Sequence, residues 1–165
     1  MPREKNNFFC AWPMIHARNR EIWIQAGWEE RGEGGEKQFV FKYDTVNKWQ
    51  AFEQVYPGMS IKVAINHQRG GVWAAWLWKG DRWALLDKEV DIGLLTPEVT
   101  SVCGEVCTTG TTFYVPPIRF NPVHLIINNR MEQWTQQYPT KISQDPPYYA
   151  RWYARYHDWE FYGGR

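Results

Sequence analysis

Met59–Asp87, MSIKVAINHQRGGVWAAWLWKGDRWALLD, is the stretch that decides how the chain is read, because it contains the longest uninterrupted apolar run in the sequence. Ile61, Val63 and Ile65 alternate with Lys62 and Ala64, the two-residue period of a strand with one buried face. His67-Gln68-Arg69-Gly70-Gly71 supplies a polar, glycine-bearing reversal. Val72 to Trp78 is apolar on both faces, as a central strand covered on two sides should be. Lys79-Gly80-Asp81-Arg82 then turns the chain into a third strand. The stretch predicts an antiparallel meander over 59–87.

Working outward, Glu21–Trp28 and Lys37–Tyr43 are strand-like and flank the polar, glycine-rich EERGEGGE, which predicts a hairpin over 21–43. Asp44 or Thr45 can cap a helix near 45–56, in which Val46, Trp49, Phe52 or Glu53, and Tyr56 recur at helical spacing before Pro57-Gly58. Between Lys88 and Pro117 short apolar pairs and glycines predict little beyond an edge strand in TTGTTFYV. Asn121-Pro122 resembles a helix start, and Val123, Ile127, Met131, Trp134 and Tyr138 predict a helix near 122–138. Tyr149, Trp152, Tyr153, Tyr156 and Trp159 predict another near 147–162. Residues 1–20, with Pro13 and scattered charges, are expected to form an irregular arm. The expected fold is therefore α+β: residues 21–165 as one domain, a mainly antiparallel sheet of about five or six strands covered by three helices.

Composition narrows the function classes. At 165 residues, 44% hydrophobic and 22% charged, the chain can bury a sizeable core. A net charge of +1 provides no global field toward nucleic acid or an anionic membrane. No apolar window approaches the roughly 18 residues of a membrane span. The three cysteines are an odd number, which argues against a disulfide framework. The expectation is a cytoplasmic protein in a reducing compartment.

No phosphate-binding glycine loop, nucleophile elbow or zinc-peptidase motif is present in the sequence. Cys103 and Cys107, with His124 or His67, are the residues closest to a zinc set, but no second tight pair accompanies them. Asp87, Glu89 and Asp91 suit a solvated edge strand better than a cation site. No cofactor or metal is expected. The oddity is eleven Trp, nine Tyr and eight Phe. Trp, Tyr and Arg dominate interface hot spots, so the sequence points to a non-catalytic interaction protein that binds another protein or a second copy of itself. The residues expected to carry that contact are Arg151, Arg155, Trp152, Tyr148, Tyr162, Arg119 and Arg130. One alternative is single-stranded RNA or DNA binding, since from Arg119 onward six basic residues, Arg119, Arg130, Lys141, Arg151, Arg155 and Arg165, face four acidic ones. The other is a small-molecule-binding barrel.

Overall fold

The computed structural model describes residues 7–32, 37–109, 113–128 and 130–164, and every helix or strand among them is a strand. The chain divides into two compact units, Pro2–Cys107 and Thr108–Arg165. In the first, β1 (Phe8–His16), β2 (Trp23–Arg31), β3 (Lys37–Asp44), β4 (Lys48–Val55) and β9 (Val99–Cys107) form a five-stranded antiparallel sheet in the order β4-β3-β2-β1-β9. Strands β5 (Val63–Arg69), β6 (Val72–Trp78) and β7 (Trp83–Leu85), with the short β8 (Val90–Asp91) also paired to β6, form a second sheet. The meander of 59–87 lies there, with β6 at its centre.

The two sheets of this unit pack face to face. Ile15, Ile24, Ala26, Val40 and Val55 from the larger sheet meet Trp73, Ala75, Leu77, Leu86, Val90, Ile92 and Leu94. Each Ile, Leu or Val side chain among them contributes about 1.5–3 kcal/mol when fully buried, so this interlayer is what the unit rests on. Within it sits an ion pair: Lys42 Nζ lies 3.3 Å from Asp44 Oδ2, with both side chains fully buried. Lys42 also donates to the Lys88 carbonyl at 3.1 Å. Asp44 Oδ1 accepts the backbone N–H groups of Val46 and Asn47.

That last contact corrects the first expected helix. Asp44 closes a tight turn rather than capping a helix over 45–56, Lys48 takes a left-handed φ of 64°, and the chain returns as β4. The helical spacing arises because both faces of β4 are used: Trp49 packs on one side of the sheet and Phe52 on the other. The expected arm is corrected too. Phe8–His16 is β1, paired on both sides. Pro13 is tolerated there because the β1–β2 ladder is interrupted between Ala11 and Met14, where its missing N–H is not needed.

In the second unit β10 (Val115–Phe120), β13 (Tyr148–Ala154) and β14 (Asp158–Gly163) form a sheet in the order β10-β14-β13, beside a hairpin of β11 (His124–Ile127) and β12 (Arg130–Gln133). Neither expected C-terminal helix exists. Over 122–138, the run Leu125-Ile126-Ile127 favours extension, and Asn128 takes the left-handed φ of 49° that turns the hairpin. Over 147–162, exposed Tyr149, Arg151 and Tyr153 alternate with half-buried Tyr148, Ala150, Trp152 and Ala154, a period of two. Tyr156, with φ of 77°, turns β13 into β14. The fold is all-β with several antiparallel sheets, not a sheet covered by helices. Replacing Lys42 by Met should destabilise the protein by about 3 kcal/mol or more in denaturant melts, because it leaves a buried carboxylate without its cation.

Candidate active site

Side chains alternate along a strand, so the outer face of the larger sheet is read directly from its register. Cys10, Trp12 and Met14 of β1 share this face with Gln25, Gly27, Glu29 and Arg31 of β2 and with Cys103, Glu105 and Cys107 of β9. Cys10 pairs with Glu29 on one side and with Glu105 on the other. The result is a row, Glu29–Cys10–Glu105, across three adjacent strands. Strand spacing sets the two glutamate backbones about 9–10 Å apart.

Glu105 Oε2 accepts the Trp12 indole N–H at 2.9 Å and the Cys10 thiol at 3.7 Å. Both donors reach the same oxygen, which leaves Oε1 to a water or a substrate. Trp12 can lie there because residue 27 is glycine: a Cβ at Gly27 would stand 2.0 Å from the Ala11 carbonyl oxygen and 2.9 Å from Trp12 Cα. Glu29 is buried and ion-paired to Arg31 Nε. The Arg31 guanidinium in turn lies over the Trp49 ring, 4.1 Å from its centroid. Cys10, Trp12 and Phe41 form a buried cluster beneath, with Trp49, Tyr43 and Met14 packed against it. Burial first, and then the charges of Glu105 and Glu29, push the Cys10 thiol well above its ordinary pKa of 9.0. Cys10 therefore stays a proton donor and is no nucleophile.

The residues expected from the sequence fall elsewhere. Arg119 is on β10, Arg130 on β12, Tyr148, Arg151 and Trp152 on β13, Arg155 in the turn after it and Tyr162 on β14. The sheet brings the Arg119 and Arg151 guanidinium groups over the Tyr153 ring, 4.5 and 5.4 Å from its centroid, but each ends on a carboxylate. Arg119 makes a two-pronged bond to Asp158 at 2.9 and 2.7 Å, and Arg151 pairs with Glu160. The Arg119 hydrogen bond holds the Asp158 carboxyl below its ordinary value. Such neutralised arginines do not form the basic stripe that a nucleic-acid strand needs. Arg155 lies over the Tyr156 ring, Arg130 sits on the separate hairpin, and Arg165 is outside the described residues, as is the 33–36 part of the glycine-rich loop.

Cys103 and Cys107 are four residues apart on one extended strand, roughly 13 Å along β9, too far for one zinc ion to hold both. His124 lies in the other unit, on β11, and the His67 ring is engaged with the Gly70 carbonyl oxygen at 2.6 Å. Among the described residues, no group of three or more His, Cys, Asp or Glu could hold a metal ion. Sequence reasoning missed Glu29, Glu105, Trp12 and Trp49. The signal for Glu105 lay inside Cys103-Gly-Glu-Val-Cys107, a segment read for its sulfurs rather than for the carboxylate between them.

No family model and no curated protein sequence matches the chain. Among solved structures it is similar to aspergilloglutamic peptidase from Aspergillus niger, with a TM-score of 0.69 and 14% identity, over 97% of this chain and 99% of that one. The likeness is in the fold. It stands against the expectation of a non-catalytic interaction protein, which was drawn from the aromatic excess, the near-neutral charge and the lack of a catalytic constellation in the sequence. Its larger sheet brings together two glutamates, Glu29 and Glu105, that are remote in sequence.

The protonated Cys10 thiol contributes stability that is complete below its ordinary pKa and declines as pH rises beyond it. Denaturant melts from about pH 7 to 10.5 should therefore show the wild type losing stability above about pH 9 relative to Cys10→Ala.

Proposed function

We propose that the chain is a carboxylate-dependent hydrolase acting on peptide bonds, with Glu105 as its general base and acid. The observation that carries this reading is the Glu105 carboxylate, fixed through one oxygen by Trp12 and Cys10 and standing two strands from the row's second glutamate, with Cys10 between them. The architecture shared with a glutamic peptidase supports it.

Chemically, Glu105 Oε1 takes a proton from a water whose oxygen attacks the scissile carbonyl carbon. As the tetrahedral intermediate collapses, the C–N bond breaks and Glu105 returns the proton to the leaving amine nitrogen, giving a carboxylic acid and an amine. Glu29 fixes Arg31 at the edge of the reaction zone. Gln25, on the same face of β2, presents a carboxamide to the peptide backbone of a bound substrate.

Purified protein incubated with a mixed fluorogenic peptide library, from acidic to neutral pH, should release new amino termini. Glu105→Gln should lower kcat by about 100-fold or more, as loss of a general acid–base group does, while the melting curve is retained. Absence of hydrolysis by the wild type, or full activity in a folded Glu105→Gln protein, would sink the reading.

A further inference from the structure

The Trp49 indole nitrogen is enclosed, yet no group accepts its hydrogen bond. The ring packs against the cluster that contains Cys10 and Trp12, the two residues whose donors fix Glu105. Arg31 lies over it at 4.1 Å. Packing and a cation–π contact need only an aromatic ring, and phenylalanine would supply both. The N–H adds a desolvated donor that weakens the folded state unless something arrives to accept it.

Arg31 is the neighbouring donor. Its Nε is committed to Glu29, its Nη groups make no ion pair among the described residues, and its side chain is 43% exposed, so the guanidinium has room to shift over the ring. Glu29 already balances the guanidinium charge, and Glu105 adds a negative charge on the same face. A neutral carbonyl oxygen therefore suits these donors better than a carboxylate does. As negative charge builds on that oxygen during attack, a fixed indole dipole and a guanidinium stabilise it without reorganisation.

We propose that Trp49 Nε1–H, with the Nη groups of Arg31, holds the scissile carbonyl oxygen and the oxyanion that forms from it. This rests on the peptide-hydrolase reading. The water oxygen bonds to the carbonyl carbon, the carbonyl π pair moves onto the oxygen held by Trp49 and Arg31, and the water proton passes to Glu105. Collapse re-forms the C=O bond and expels the amine.

Two variants test this on the full chain: Trp49→Phe, and replacement of Trp49 by benzothienylalanine, in which sulfur stands where the indole N–H was and ring size is kept. Both should lower kcat by about 10²–10³, the usual loss for one oxyanion donor, at nearly unchanged KM. A phosphinic peptide that mimics the tetrahedral intermediate should bind more weakly to both by a similar factor, whereas a non-cleavable substrate-like peptide binds as before. Wild-type kcat in the benzothienylalanine protein would overturn the inference while leaving the hydrolase reading intact, and a loss confined to KM would do the same by making Trp49 a packing residue. A wild type that hydrolyses no peptide would overturn both.

Discussion

Side chains alternate across a strand, and in β2 this separates a core from a site. Ile24 and Ala26 point into the interlayer, while Gln25, Gly27, Glu29 and Arg31 point the other way. A slip of one residue would place Glu29 in the apolar interlayer and Ala26 on the outer face. The register that buries the hydrophobic set is thus the same register that lines up Glu29, Cys10 and Glu105. Stability and geometry are fixed together, and neither can be altered alone in this strand.

The sheet separates its charges by face. Lys42 and Asp44 pair within the interlayer, where an unpaired ion would be costly, and backbone groups around them add further hydrogen bonds to both. On the outer face Glu29 has a cation and Glu105 does not; Glu105 is held by an indole and a thiol, two donors without formal charge.

The strands of the hairpin around residue 30 and of the central meander were legible because their apolar residues recur with a period of two and are bounded by glycine-bearing turns. The three expected helices were not, for a common reason. When a strand has both faces occupied by large rings, as in β4 with Trp49 and Phe52, the rings fall at spacings of three and four, and a helical stripe cannot be told from two half-stripes. In β13 the same ambiguity was resolved by pairing with β14, a non-local contact that no local pattern records. β1 was hidden by Pro13, whose missing donor is harmless only because of a gap in the ladder to β2. The site was hidden more deeply. Glu29 and Glu105 are separated by most of the first unit, and only the strand order β2-β1-β9 brings them together.

Cys10 lies at the centre of that order, buried and hydrogen-bonded to Glu105. Alkylating reagents attack thiolates, and this sulfur becomes one only when the sheet around it opens. The rate at which Cys10 is modified under native conditions is therefore a clock for the opening of β1, read at a single atom in the middle of the site and obtained without any engineered label.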